Sequence, residues 1–327
     1  MWQIPWGYPE SFVVVEGLIL IGLLLQICVG SFDFYLLAQP VNYVVCGVVA
    51  VLSIFISRRV KHGSFARWMV GVPFSVAIIS GLLLLSIVMG VTPQSHHSHT
   101  LLGFDSMTSN WAFVMIYTLA VVVLGGVILR RADRFKLADL PFYFNHLGLF
   151  ILLLGSGVGY ADMERYVMYV NEGETQWRVY DNQNQVKELP IAITLNDFDV
   201  EFYPSKALYF DAETGEIQKG NPSKYENHER YKKVMSEPEP KRFSSQVEVF
   251  TQQGHSIEAT IEVNKPLRID SWTIYQYGYD NRAGAQSSYS SFELVYDRWL
   301  TMVYVGIIMM MMGGVAMALR GSNIKRR

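Results

Sequence analysis

Long apolar segments alternate with short polar ones through the first half of the chain, and one further apolar segment lies near its end. Since a hydrocarbon core about 30 Å thick takes roughly 20 helical residues to cross, each of these segments predicts a transmembrane helix. The six segments span residues 12–30, 41–57, 68–91, 111–130, 142–160 and 299–319.

Residues 162–297 follow a different pattern, in which polar and apolar positions alternate and β-branched and aromatic residues are frequent. Such alternation predicts half-buried β-strands. The predicted strands span 191–202, 246–251, 256–263, 272–279 and 291–296, with turns at Thr214-Gly215, Gly220-Asn221-Pro222 and Gly254. The polar segment 221–242 is expected to be a long loop. The predicted fold class is therefore a membrane helical bundle plus an extracytoplasmic β-rich domain, built as a sandwich or barrel.

Basic segments decide the predicted orientation. Residues 58–67, 130–136 and 325–327 fall on one side if all six helices span, and basic residues favour the cytoplasmic side. Both termini are then cytoplasmic, and residues 162–297 lie outside. Tryptophans at predicted helix ends fit the lipid–water interface: Trp68, Trp111 and Trp299.

Composition and missing motifs exclude several functions. Charged residues make up 17% of the chain, against about a quarter in soluble proteins, and the net charge of −2 does not favour nucleic acid. Cys28 and Cys46 lie in apolar segments, so the outer domain has no disulfide framework. CxxC, CxxCH, Walker, nucleophile-elbow, HExxH and dinucleotide-binding patterns are absent. The chain is thus not predicted to be a thiol oxidoreductase of that type, a c-type cytochrome, an ATPase or a hydrolase.

His146 is the strongest candidate for chemistry, because it lies inside the apolar segment 142–160. Ionisable residues at such depth are uncommon and are functional candidates by default. A neutral imidazole can bind haem iron, whereas the alternative is a histidine hydrogen-bonded to a neighbouring helix. No other histidine lies within the six segments. If haem is bound, a second axial ligand therefore comes from another chain, from a methionine, or not at all.

A second histidine cluster lies in the polar loop after the third apolar segment, at His96, His97 and His99. Such spacing can bind zinc or copper. The cluster lacks acidic or thiol companions, so the alternative is a flexible loop that binds metal only adventitiously.

Several segments resemble the ResB (CcsB) family of cytochrome c biogenesis proteins, over about residues 67–320. They include GVPFSVAIISGLLLLSIVMGVTPQ, FYFNHLGLFILLLGSGVGY, LNDFDVEFYPS and, as the most specific block, IEVNKPLRIDSWTIYQYGYD. The resemblance implies an extra N-terminal helical hairpin at 1–57 and a three-helix core at 58–161. An outer β-rich domain at 162–297 and a last helix with its basic tail at 298–327 would follow.

The resemblance implies a subunit of a holocytochrome c synthase complex in the bacterial cytoplasmic (inner) membrane. The expected partners are a CcsA (ResC) protein, apocytochrome c and a thiol-reducing protein, and the expected cofactor is haem b, shared with the CcsA partner. Such a chain would not complete haem ligation alone, because the tryptophan-rich external haem site of the partner family is absent.

The family's transmembrane histidine aligns with His146, which the resemblance implies is a haem axial ligand. Further expected contacts to haem or a partner are Asn145, Lys265, Arg268, Trp272, Tyr275, Tyr277 and Tyr279. Lys265 occupies a position where the family often has a histidine. Two alternatives stay open. One is a scaffold whose outer domain clamps a partner while His146 only bridges helices; the other is a sensor or transporter subunit that binds another ligand.

Overall fold

The computed structural model describes residues 4–60, 63–94, 100–212, 214, 216–218 and 231–324, without the side chains of 320–324. The chain divides into two units. One comprises Met1–Met163 and Asp297–Arg327, and the other comprises Glu164–Tyr296.

The described residues of the first unit form seven α-helices, joined in part by short 3-10 helices. They are α1 Tyr8–Val29, α2 Val41–Arg59, α3 Ser64–Met69, α4 Val72–Val91, α5 Trp111–Ala132, α6 Leu140–Asp162 and α7 Leu300–Ile324. Within the described part of the chain, six of them, all except α3, are long and apolar enough to cross a membrane. The chain is therefore a multi-pass membrane protein, as the apolar segments predicted.

The helix predicted at 68–91 is wrong at its start, because the structure has a break between α3 and α4. Pro73 lies in the first turn of α4, where its missing N–H and its steric effect on the preceding residue oppose a continuous helix. Trp68 lies at the end of α3 and is buried in the bundle, whereas the sequence predicted a tryptophan facing the interface. It is 7% exposed, and its indole Nε1 donates to Ser11 Oγ at 2.9 Å.

Helix α5 occupies the centre of the first unit, because α1, α2, α4 and α6 all pack against it. Glycines lie where the backbones approach most closely. A Cβ added at Gly22 of α1 would collide with the backbone of Ala112, and one at Gly125 of α5 would collide with Ser53 of α2. The two N-terminal helices are thus built into the bundle through α5.

The described residues of the second unit form eleven strands. They are β1 Glu164–Asn171, β2 Thr175–Tyr180, β3 Val186–Phe202, β4 Ala207–Asp211, β5 Ile217–Gln218, β6 Tyr231–Met235, β7 Pro240–Thr251, β8 Ser256–Glu262, β9 Leu267–Ile269, β10 Trp272–Tyr279 and β11 Tyr289–Tyr296. All five predicted strands are present. The loop predicted at 221–242 is wrong for 231–235 and 240–242, which belong to β6 and β7, while 221–230 lie outside the described residues.

Within the described residues, eight strands form one antiparallel sheet in the order β8-β7-β3-β2-β1-β11-β10-β9. Its two edge strands follow each other in the chain, and Glu262 and Lys265 bridge them across a short turn. The sheet is therefore nearly closed, so the structure is a barrel rather than a sandwich. The remaining strands form a small sheet in the order β5-β4-β6.

The barrel interior contains two apolar regions separated by polar side chains. The larger region includes Met168, Ile193 and Phe292, each fully buried, and the smaller one surrounds Phe198 and Tyr279. The polar side chains between them satisfy one another: Ser245 Oγ donates to Gln276 Oε1 at 2.8 Å, and Gln276 Nε2 donates to Ser290 Oγ at 2.6 Å. Because each group has a partner, this layer avoids the cost of burying unpaired polar atoms.

Candidate functional site

Helix α6 positions His146 near its N-terminal end. The helix begins at Leu140 with Pro141 in its first turn, which suits proline because the N–H there has no helical partner. At about 1.5 Å per residue, the imidazole lies about 9 Å along the axis from that end. The side chain is partly buried, neither enclosed in the bundle nor fully exposed.

The hydrogen bond of the His146 ring decides which nitrogen can bind a metal. Nδ1 lies 3.1 Å from the carbonyl oxygen of Phe142. A carbonyl only accepts, so a neutral imidazole in this contact carries its proton on Nδ1 and leaves the Nε2 lone pair open. Within the described residues, no hydrogen bond involves Nε2. A ring with one nitrogen held by the backbone and the other free has the chemistry of a haem ligand.

An aromatic ring and a cation lie beside the imidazole. The Phe142 ring stacks on it with centroids 3.9 Å apart, and the Arg131 guanidinium lies 4.3 Å from the centre of the same Phe142 ring. Arg131 also donates to Asp139 Oδ1 at 2.8 Å. The sequence marks Arg131 only as part of the basic segment 130–136. Phe142 was missed, although its position one helical turn before His146 was a usable signal.

His146 lies on the face of α6 that carries Phe150, Leu153 and Gly157 at helical spacing. This face packs against α5. The Tyr117 hydroxyl donates to the Leu153 carbonyl at 2.6 Å, and a Cβ added at Gly157 would lie 3.0 Å from the Tyr117 ring. The direct contacts shown for His146 are with Phe142 of its own helix, and Arg131 of α5 contacts the same Phe142 ring.

Asn145 belongs to a different face of α6, which contacts α7. Its Nδ2 donates weakly to the Met310 carbonyl at 3.4 Å, and a Cβ added at Gly313 of α7 would collide with the Asn145 backbone. Asn145 thus contacts α7, whereas the contacts of His146 are with Phe142. Asn145 stays a prediction as a partner or haem contact.

Asp162 links several segments at the C-terminal end of α6. Its carboxylate accepts from the Gln39 backbone N–H at 2.8 Å, from Asn42 Nδ2 at 2.5 Å and from Trp299 Nε1 at 2.7 Å. One acid thus ties the start of α2 to the start of α7. No local pattern around Asp162 indicated this role.

An apolar cavity of about 230 Å³ lies between α2, α5 and α6. Its wall includes Val49, Phe113, Tyr117, Leu154 and Tyr160. His146 is not among its lining residues. The nearest lining residue on the same face, Leu153, lies about 10 Å further along the α6 axis.

The four aromatic residues of β10 do not form one surface. Trp272 and Tyr279 are buried in the two separate apolar regions of the barrel, at 6% and 9% exposure, whereas Tyr275 and Tyr277 are exposed. A β-bulge between Gln276 and Gly278 shifts the alternation by one residue and turns Tyr279 inward. Only Tyr275 and Tyr277 are therefore available on the outer face.

Lys265 and Arg268 lie at the closing edge of the barrel. Lys265 Nζ is 3.1 Å from Glu262 Oε2, and Arg242 Nη2 is 2.6 Å from Glu262 Oε1. The hydrogen bond from Arg242, followed by that from Lys265, lowers the pKa of the Glu262 carboxyl below its ordinary value. Arg268 is exposed and lies opposite Thr273 in the β9–β10 pairing. Neither contact tests whether Lys265 or Arg268 binds a partner. Their role as partner contacts therefore stays a prediction.

No metal cluster is found in the part of the chain that the structure describes, where no group of three His, Cys, Asp or Glu side chains converges. The predicted weak site at His96, His97 and His99 lies outside the described residues. The structure therefore leaves that prediction untested.

Comparison with protein families gives one match. Residues 132–288 match the model of the ResB-like family, which covers α6 with His146 and the strands from β1 to β10. A comparison with curated proteins finds no relative that matches the chain. The resemblance noted for residues 67–131 and 289–320 lies outside the family match.

Proposed function

We propose that the chain handles haem for attachment to apocytochrome c, because residues 132–288 match the model of the ResB-like family, and this family has a general role in cytochrome c biogenesis. The proposed assembly is a membrane complex with a CcsA-type partner. In it the chain is a subunit rather than a complete enzyme. The proposed location is the bacterial cytoplasmic membrane, with both termini inside and residues 162–297 outside.

One observation carries the proposal: the imidazole of His146 is held by the backbone and has an open nitrogen. Fixing Nδ1 on the Phe142 carbonyl orients the ring and raises its basicity, as outer contacts do for metal-bound histidines. When bound, haem would supply an iron with an axial position for that nitrogen. Phe142 and Arg131 would hold the imidazole in place through the stacked arrangement.

The second axial ligand is proposed to come from the partner. Within the described residues, His146 is the only histidine in helices α1 to α7. Its partly buried side chain leaves part of the ring accessible to another chain. A haem shared between two membrane proteins fits both facts better than a haem enclosed by this chain.

The test is purification of the chain with a CcsA-type partner, comparing wild type with His146→Ala and His255→Ala. His255 is an exposed histidine of the second unit and provides a matched control. We expect His146→Ala to lose most of the haem absorbance of the complex, and added imidazole to restore part of it. His255→Ala should retain the wild-type spectrum.

Equal haem content and an unchanged spectrum in His146→Ala would contradict the proposal. If that variant also forms the complex and still supports cytochrome c maturation, a scaffold role is favoured instead. The exposed Tyr275 and Tyr277 on the outer face of the barrel are the observation on which that second function rests. The same purification therefore distinguishes the haem-handling function from the scaffold function.

A further inference from the structure

The barrel has an open mouth of about 470 Å³ at one end, distinct from the His146 region. Strands β1, β3, β7, β10 and β11 contribute to its wall. Mouths of β-barrels are common places for small-ligand sites. What this mouth could bind follows from its aromatic and charged groups.

Three aromatic rings form a continuous wall in the mouth. The Trp272 ring lies 5.0 Å from the Tyr296 ring and 6.3 Å from the Tyr166 ring, measured between centroids. Trp272 and Tyr166 also belong to the buried apolar cluster of the barrel, which fixes their positions. Because Trp272 and Tyr166 are only 6% and 8% exposed, a cation in the mouth would meet mainly Tyr296, the partly exposed ring of the three.

The charges of the lining residues favour a cationic ligand. Three carboxylates line the mouth, from Glu164, Glu188 and Asp270, against one ammonium, that of Lys187. Burial, followed by the nearby Glu164 carboxylate, raises the pKa of the Tyr166 phenol, so Tyr166 stays neutral at physiological pH. Arg178 Nε pairs with Glu188 Oε1 at 3.4 Å, so the excess of negative charge that opposes an anionic ligand rests on Glu164 and Asp270.

Lys187 shows that an ammonium group fits these surroundings. Its Nζ lies 5.3 Å from the centre of the Tyr166 ring and 3.5 Å from Asp181 Oδ2. An aromatic face and a carboxylate together are the usual surroundings of a bound organic cation. The chain thus places its own cation against the wall that a ligand would use.

The turn that carries Asp270 adopts an unusual backbone. Asp270 and Ser271 both have positive φ, 46° and 68°, although neither is glycine. Two-residue hairpin turns of this form favour Asn-Gly or Asp-Gly, so Ser271 costs stability there. Sparsely populated conformations of this kind are concentrated at binding sites. Within the described residues, the shielded Thr251 hydroxyl in the same wall also has no hydrogen-bond partner.

We propose that the barrel mouth binds an alkylammonium group from another molecule, between the Trp272–Tyr296–Tyr166 wall and the carboxylates of Asp270, Glu164 and Glu188. The group could belong to a lysine side chain of a polypeptide or to the headgroup amine of phosphatidylethanolamine. The site does not involve His146. A result that contradicts this proposal therefore leaves the haem proposal unaffected, and the reverse also holds.

The test measures binding of Nα-acetyl-lysine methylamide to the full chain in phosphatidylglycerol nanodiscs by ligand-observed NMR. We expect saturable binding of this probe and none of its Nε-acetylated, uncharged counterpart. Asp270→Asn should raise Kd about threefold to fivefold, as expected for loss of a partly exposed charge partner. Asn tolerates positive φ as Asp does, so the turn should persist. Lys187→Met, which removes the internal cation, should lower Kd.

Three controls separate the outcomes. Asp197→Asn removes a carboxylate outside the mouth and should leave Kd unchanged, and His146→Ala should also bind the probe as wild type does. A higher Kd in nanodiscs containing phosphatidylethanolamine would show that the lipid amine competes for the site, whereas an unchanged Kd would exclude this lipid as the occupant. Absence of saturable binding, equal binding of the uncharged counterpart, or equal Kd values for Asp270→Asn and Asp197→Asn would overturn the proposal.

Discussion

The α6–α7 pair and the barrel solve the packing problem in opposite ways. Only 11% of the apolar span of α6, and 11% of that of α7, is buried within the described part of the chain. In the barrel many large apolar side chains point inward, and several, such as Ile193 and Phe292, are completely buried. The difference follows from the solvent, because lipid leaves no reason to hide apolar side chains whereas water does.

The two regions also differ in what lies at their closest contacts. Between α6 and α7 the contacts are made by glycine and backbone, since a Cβ added at Gly148 would lie 2.6 Å from the Met310 nitrogen. Inside the barrel they are made by bulky side chains and one satisfied polar layer. Close backbone approach replaces the hydrophobic effect as the source of specificity in the membrane pair. Three substitutions test this comparison.

The largest effect is expected from Phe292→Ala, which empties a completely buried position of the barrel. Loss of burial plus the resulting cavity should lower the free energy of unfolding by about 3–5 kcal/mol. Hydrogen exchange of the β10 and β11 amides in the full chain measures the loss. Tyr277→Ala, at an exposed position of the neighbouring strand, is the control and should have little effect. Similar losses in both variants would show that the barrel has no side-chain core of the kind described.

A smaller effect is expected from Gly148→Ala in the membrane pair. The new methyl group would meet the Met310 nitrogen and the Gly306 carbonyl oxygen, both backbone atoms that cannot rotate away. The resulting overpacking should destabilise the pair by about 1–3 kcal/mol, measured by titrating mixed micelles with SDS. Gly314→Ala is the matched control, because no atom of the described chain lies within 4 Å of its added Cβ. If the two variants unfold alike, close α6–α7 contact is not what stabilises the pair.

The smallest effect is expected at Glu262, where two cations lower the carboxyl pKa below its ordinary value of 4.5. A carboxyl with a lowered pKa in the folded state stabilises the fold above its unfolded pKa and loses this contribution as pH falls through its folded pKa. Wild type should therefore melt slightly above Glu262→Gln at neutral pH, and the gap should close as the pH falls below about 4.5. Thermal melting of the full chain across that range measures the gap, with Glu258→Gln as control. A gap independent of pH would mean that the charge of Glu262 does not contribute.

The sequence predicted the membrane helices and the five strands well, because the local solvent dictates local composition. The predictions were wrong where one residue changes the backbone around it. Pro73 breaks the helix predicted from residue 68, and the bulge before Gly278 turns Tyr279 into the core. Neither effect changes the average hydropathy on which the predictions rested.

For the candidate site, the sequence identified His146 from its depth in an apolar segment and from family resemblance, but not its surroundings. The Phe142 stack was within reach of helical spacing, while the Arg131 contact crosses from α5 to α6 and needed the folded chain. The proposed cation site was out of reach altogether. Tyr166, Lys187 and Asp270 come from three strands or turns far apart in the chain.

By itself, the sequence determined which parts of this protein meet lipid and which meet water. The reason is that the order of apolar and polar residues in each segment matches the solvent around it. Tertiary structure alone decided the glycine-mediated contact of α6 with α7, the closure of the sheet into a barrel and the grouping of charges at its mouth. Each of these depends on distances between residues remote in the chain, and such distances are set only when the elements pack together.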